Sequence, residues 1–116
     1  MAMMQPTELD IRRAAGLFKV LGHPERIRIA FRLAAGRLTQ HELLEDLPWA
    51  QSTLARHVGL MRERGLIDAT RHGNEVHLRL ADDLVPQLLE LIHNHPPVLP
   101  VGASAPAAAV MGGDYS

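Results

Sequence analysis

The chain has 116 residues, 47% of them hydrophobic, enough for one compact domain and too few for two that fold independently. Aromatic residues make up only 3%, so the core must be built from Leu, Ile, Val, Ala and Met, a set that suits packed helices better than sheets. Cysteine is absent, which excludes disulfides, a thiolate nucleophile and a cysteine-ligated metal, and fits a reducing cytoplasm.

No early segment combines a basic start, an apolar run and a small-residue cleavage site, and no run approaches membrane-spanning length, so a soluble cytoplasmic protein is expected. The net charge of −1 is unevenly divided: residues 1 to 49 carry +1, residues 50 to 80 carry +2, and residues 81 to 116 carry −4. The middle segment also holds His57, His72 and His77, whose charge rises near an anion. A weak overall charge therefore leaves room for a local basic patch.

The spacing predicts a first helix from about Thr7 to Leu21, with Leu17, Phe18 and Leu21 as its apolar stripe and Gly22 as its end. In "GHPERIRIAFRLAAG", Pro24 suits the first turn of a second helix, Ile27, Ala30, Phe31 and Ala34 recur at helical spacing, and Gly36 supplies the stop. Arg28 and Arg32 read as a solvated face. His23 belongs to the entry into this helix.

"LTQHELLEDLP" carries a complete start signal: Thr39 as cap, Glu42 as its capping-box partner, and Leu38 placed to staple onto Leu43. Pro48 limits this helix to a short one. After Trp49 and Ala50 comes "QSTLARHVGLMRERGLI", amphipathic and basic, closed by Gly65. Two short helices in this order suggest a helix-turn-helix.

The period then changes. In "EVHLRL", Val76, Leu78 and Leu80 alternate with Glu75, His77 and Arg79, the pattern of a half-buried strand with His77 on its outer side; "LIDATR" is the partner strand and "HGN" the turn. "DDLVPQLLELIHNH" predicts a last helix with an Asp cap, Pro86 in its first turn, and Leu84, Leu88, Leu91 and Ile92 as its stripe. Residues 1–96 form the predicted domain. Residues 97–116, rich in Pro, Gly and Ala without periodicity, read as a disordered tail.

The order helix, helix, helix-turn-helix, hairpin, helix, with "LFKVLGHPERIRI", "QSTLARHVGLMRERGLI" and "RHGNEVHLRLAD", resembles the ArsR/SmtB family of winged-helix transcriptional regulators over roughly residues 9 to 92. The resemblance implies a mainly α fold with a β-hairpin wing, and a homodimer whose first and last helices make the interface. The residues agree on the need for a partner: two apolar-striped terminal helices on a short chain leave much to cover, by an isologous two-fold contact or by packing within one subunit.

With Leu54 facing the core, Val58 and Met61 share its direction and Ser52 and Arg56 lie nearly opposite. By motif position the resemblance makes Gln51, Ser52, Thr53, Arg56 and His57 DNA contacts, with Arg71, His72 and Asn74 on the wing. Arg56 suits a guanine edge and Gln51 an adenine. Ser52 and Thr53 suit phosphate or adaptable base contacts, and the wing residues suit the backbone or an adjacent minor groove. His57 lies nearer the core flank and has a second reading, a packed, hydrogen-bonded histidine. Arg62 and Arg64 read as phosphate contacts or solvated charges. Two positions depart from the family pattern: Gly59 stands where a basic residue is usual, and Ala50 where a hydroxyl cap is usual, so this helix starts weakly or starts at Ser52.

Many members of the family sense metals. Its thiolate site falls here on Thr39 and His41, which argues against soft ions such as arsenite; His41 reads as a surface residue. Its terminal-helix site is incomplete, with Asp83 in place but Val85 where a histidine is expected. "ELIHNH" offers Glu90 and His93 on one face and His95 beyond, donors that suit Ni(II) or Zn(II) when duplicated across a two-fold axis.

The resulting expectation is a sequence-specific regulator that reads a double-stranded, imperfectly palindromic operator, its occupancy altered by nickel or zinc, a small ligand or a co-regulator protein. The alternative is a winged-helix protein-interaction module without direct DNA readout. An enzyme lacks support: no cysteine, no glycine-rich phosphate loop and no paired carboxylates beside a histidine base are present.

Overall fold

In a computed structural model, described here over residues 4–96, five helices and three short strands follow the order α1, α2, β1, α3, α4, β2, β3, α5. Helix α1 (Glu8–Leu21) begins at a reciprocal capping box: the Thr7 hydroxyl accepts from the Asp10 amide at 3.0 Å and the Asp10 carboxylate accepts from the Thr7 amide at 2.9 Å. Only its last turn, Val20 and Leu21, is buried, and Gly22 follows as the C-cap.

Helix α2 (Pro24–Ala34) opens on its proline and crosses the middle of the molecule against α1, α4, α5 and β3. Its buried face is Ile29, Ala30 and Leu33, with Arg26 half-buried one turn earlier. This corrects the expected stripe. Phe31 and Ala34 are exposed, because a helix enclosed by four neighbours turns inward the face that meets most of them, one residue away from the spacing read from sequence.

Strand β1 (Leu38–Thr39) was not expected. It pairs antiparallel with β3, Leu38 opposite Leu78 and Thr39 opposite His77. Thr39 then caps α3 (Gln40–Asp46), and both capping-box bonds are present: the Glu42 amide donates to the Thr39 hydroxyl at 3.0 Å, and the Thr39 amide donates to the Glu42 carboxylate at 2.8 Å. That second bond holds the Glu42 carboxyl below its ordinary range. An ion pair between Arg32 and Asp46 ties α2 to the end of α3, so Arg32 is not simply solvated.

Helix α4 (Gln51–Glu63) buries Leu54, His57, Val58 and Met61. It ends in a Schellman arrangement: the Gly65 amide donates to the Arg62 carbonyl at 3.0 Å and the Leu66 amide to the Met61 carbonyl at 2.8 Å, with Gly65 at φ +83°. The chain turns directly into β2 (Ile67–His72), which pairs with β3 (Glu75–Leu80) from Ile67 opposite Leu80 to His72 opposite Glu75. Gly73, at φ +64°, and Asn74 make the turn. The sheet order is β1-β3-β2. Its inner face contributes Ile67, Leu78 and Leu80 to a core centred on Ile29, Leu43, Leu54, Met61 and Leu78; each such side chain, fully buried, contributes about 1.5 to 3 kcal/mol.

Helix α5 (Leu84–Asn94) starts with the Leu84 amide donating to the Asp82 carboxylate at 2.9 Å. Val85 and Leu89 are its buried residues, packed through α2. Of the predicted stripe, Leu88 is half-buried, and Leu84, Leu91 and Ile92 face outward, uncovered by the chain's own core. No helix among the described residues is long and apolar enough to cross a membrane. The tail read over residues 97–116 lies outside the described residues.

Candidate nucleic-acid interface

The outward face of α4 follows from its inward one. Leu54, Val58 and Met61, at i, i+4 and i+7, are sunk against α2 and β2, which leaves Ser52, Arg56 and Gly59 on the opposite side. Gln51, Ser52 and Arg56 are exposed and Thr53 is half-buried.

At the N-terminus, Ala50 occupies the cap position without a side-chain bond. The first intrahelical acceptor is the Ala50 carbonyl, which takes the Thr53 and Leu54 amides at 3.0 and 3.1 Å; the amides of Gln51 and Ser52 have no acceptor among the described residues. The helix thus begins at Gln51, with donors and the positive end of its dipole directed outward beside Ser52, where an anionic oxygen fits.

His57 takes the second of its two readings, the packed one. It is only 7% exposed and is the one buried polar residue among those described. Arg26 Nε donates to its Nδ1 at 3.4 Å, and the rings of His23 and Trp49 lie on it with centroids 5.8 Å away. Burial lowers its pKa below the usual histidine value, and the Arg26 and Arg56 guanidinium groups add to the effect. A neutral imbedded imidazole holds the helix down; it does not reach outward. Arg26, half-buried on α2, is the residue that sequence reading passed over. Its position one turn before Ala30 was the available signal.

The wing carries Arg71, His72 and Asn74, all exposed, at the hairpin tip. The Arg71 guanidinium makes a long 3.5 Å bond to the Gly73 carbonyl. On the outer sheet face His77 is more enclosed than expected. It is half-buried, sits edge-on to His72 at 4.8 Å between centroids, and lies 3.2 Å from the Glu75 carboxylate. Between α3, the start of α4 and the wing runs a cleft whose wall includes Glu42, Glu45 and Glu75. His41 is exposed and pairs with Glu45 at 3.3 Å. Arg62 and Arg64 are exposed at the far end of α4.

Glu90, His93 and His95 are exposed near the end of α5. Within one chain they do not complete a site: no three His, Asp or Glu side chains are grouped to hold a metal among the described residues.

Comparison with known proteins agrees with this geometry. A domain family described as a domain of unknown function (DUF7343) matches residues 20–81, from the last turn of α1 through the wing. The biofilm growth-associated repressor of Agrobacterium fabrum is 36% identical over 77 residues, 66% of each chain. The HTH-type transcriptional repressor SmtB of Mycobacterium tuberculosis is 35% identical over 78 residues, 66% of this chain and 58% of that one. Among solved structures, HlyU from Vibrio cholerae superposes with a TM-score of 0.71 at 28% identity, covering 75% of this chain and 95% of that one. With the helix-turn-helix, the wing and these likenesses in place, the chain belongs to the ArsR/SmtB family of winged-helix transcriptional regulators, a non-enzymatic family.

Proposed function

We propose that the protein works in the cytoplasm as a homodimeric transcriptional regulator that reads an imperfectly palindromic DNA operator, with α4 in the major groove and the hairpin wing on the flanking backbone or minor groove. The observation that carries this reading is the two-sidedness of α4: Ser52 and Arg56 stand in solvent while Leu54, Val58 and Met61 of the same turns are buried. A guanidinium in that position can form two parallel hydrogen bonds to a guanine edge. Gln51, Ser52 and the free amides beside them fit the adjacent base and phosphate.

Dimerisation is supported by what α1 and α5 leave uncovered. Leu9, Ile11 and Phe18 on α1 and Leu84, Leu91 and Ile92 on α5 are all exposed, an apolar expanse of the kind that marks a protein contact. A two-fold axis there would set two copies of α4 about 34 Å apart, one turn of DNA. Control by Ni(II) or Zn(II) through Glu90, His93 and His95 requires the second subunit's donors, since one chain holds an incomplete set. A small ligand or a co-regulator protein is the other route to control.

Selection of duplexes from a randomised library, followed by anisotropy titration of the winning sequence at rising salt, tests the reading. The expected result is an enriched palindrome bound with an affinity that falls steeply as salt increases, because bound phosphates release counterions. No enrichment and no salt dependence would transfer the surface to the protein-interaction alternative.

A further inference from the structure

The start of α4 has no side-chain cap, since Ala50 stands at that position. Its register on the core therefore depends on the inner face, where one polar link joins three elements. Arg26 Nη1 donates to the Val20 carbonyl in the last turn of α1 at 2.9 Å, while its Nε donates to His57 Nδ1 on α4 at 3.4 Å. A guanidinium has donors only, so His57 must offer a lone pair at Nδ1 and carry its proton at Nε2. The flanking His23 and Trp49 rings hold the imidazole plane in place.

We propose that Arg26 is a positioning residue for the DNA-reading helix and that, by requiring a neutral His57 as its acceptor, it makes operator binding acid-sensitive. The proposal rests on the reading of α4 given above and adds its regulation.

Protonation of His57 would remove the acceptor and set two cations face to face. The charged groups around it offer little relief. Arg26 and His23, from α2 and its cap, and Arg56, from α4 itself, all oppose a further positive charge; only Glu25 favours one. The Glu25 carboxylate is already 3.2 Å from His23 Nδ1. Trp49, before α4, brings no charge.

The sign follows from linkage. An unseated or unfolded His57 takes up a proton near the ordinary value of about 6.5, whereas the seated one does so only at lower pH. The seating of α4 is therefore complete above that ordinary value and is lost as pH falls toward the lowered one. A loss of affinity on acidification is assigned to His57 by its absence in His57→Gln.

The test uses the full chain and the selected duplex at constant ionic strength. From about pH 7.5 to about pH 5.5 the wild-type affinity should fall about threefold or more. His57→Gln supplies an oxygen that accepts from Arg26 and takes no proton; it should bind within about twofold of wild type at neutral pH and show no acid loss. Arg26→Met should weaken binding at neutral pH and shrink the acid loss. Hydrogen exchange of the α4 amides, corrected for intrinsic rates, reads the same event without DNA: protection should drop with acid in the wild type and not in His57→Gln. Wild-type affinity that holds or rises on acidification, or α4 protection that is unchanged between the two pH values, overturns the proposal. Should His57→Gln fail to fold, the wild-type exchange profile alone decides. Absence of binding to any duplex with the exchange difference intact would remove the DNA reading and leave the positioning role standing.

Discussion

Arg56 and His57 are neighbours in the chain and face opposite ways on α4: Arg56 stands in solvent, while His57 is buried against Arg26, His23 and Trp49. One residue of helix is a turn of about 100°, enough to place one side chain in solvent and the next in the core. The "RH" pair is therefore split: Arg56 is open to a partner, and His57 belongs to the core.

Arg56→Ala should weaken the preference for the selected operator over a scrambled duplex by about 1 to 3 kcal/mol. The fold should be unaffected, since Arg56 makes no hydrogen bond or ion pair among the described residues. Competitive titration at fixed salt measures it. Unchanged preference would remove Arg56 from the reading role.

Gly59 lies on the same outward face as Ser52 and Arg56, and a Cβ added there meets nothing within 4 Å. Gly59→Ala should therefore raise stability by about 0.5 to 1 kcal/mol, the helix-propensity difference alone. In a domain of this size that is a rise in Tm of a few degrees, readable by thermal circular dichroism. Gly59→Lys places a charge on this outward face, and should steepen the dependence of log affinity on log salt by about 0.9 per chain. An unchanged slope would mean that this turn of α4 does not run beside a phosphate.

Element type was legible wherever it was written locally. The Thr39 and Glu42 box, Pro24 at the first turn of α2, Gly65 after α4 and the alternation of β3 each depend on residues within one or two turns of one another, and each stands as read. What could not be read was which way a helix faces. Phe31 was assigned to the core of α2 and is exposed, while Leu33 was overlooked and is buried, because α2 is enclosed by four elements that sequence periodicity does not locate. Strand β1 escaped for a related reason: two residues make no period, and Leu38 becomes a strand residue only through Leu78, far along the chain. At the site, Ser52 and Arg56 followed from the spacing of Leu54, Val58 and Met61. The burial of His57 needed Arg26, whose role lies wholly in tertiary contact.

The apolar stripes of the terminal helices are largely uncovered within one chain. Phe18 is 58% exposed, Leu91 56% and Ile92 61%, so these side chains are held back from the chain's own core, where Val20, Val85 and Leu89 serve instead. Leu91→Asp with Ile92→Asp should leave the fold intact and raise the dimer dissociation constant by about a hundredfold or more, since burying two uncompensated carboxylates costs several kcal/mol. Sedimentation velocity across a dilution series reads the change. A variant that remains dimeric would place the two-fold contact elsewhere.

Metal control makes its own demand on that contact. Glu90 and His93 lie one turn apart on exposed α5, and His95 follows in extended backbone at φ −98°, so one subunit presents donors without closing a site. Four-coordinate zinc, or nickel with more ligands, would have to take its set from both subunits. Calorimetric titration with Ni(II) and Zn(II) should therefore show binding by the dimer that weakens at least about tenfold in His93→Ala with His95→Ala, and weakens equally in the Leu91→Asp, Ile92→Asp monomer, whose histidines are all present. Equal affinity in wild type and the double-histidine variant would clear this end of α5 and leave control to a small ligand or a co-regulator protein. Retention in the monomer alone would mean that a single chain can close the site, against the geometry seen in α5.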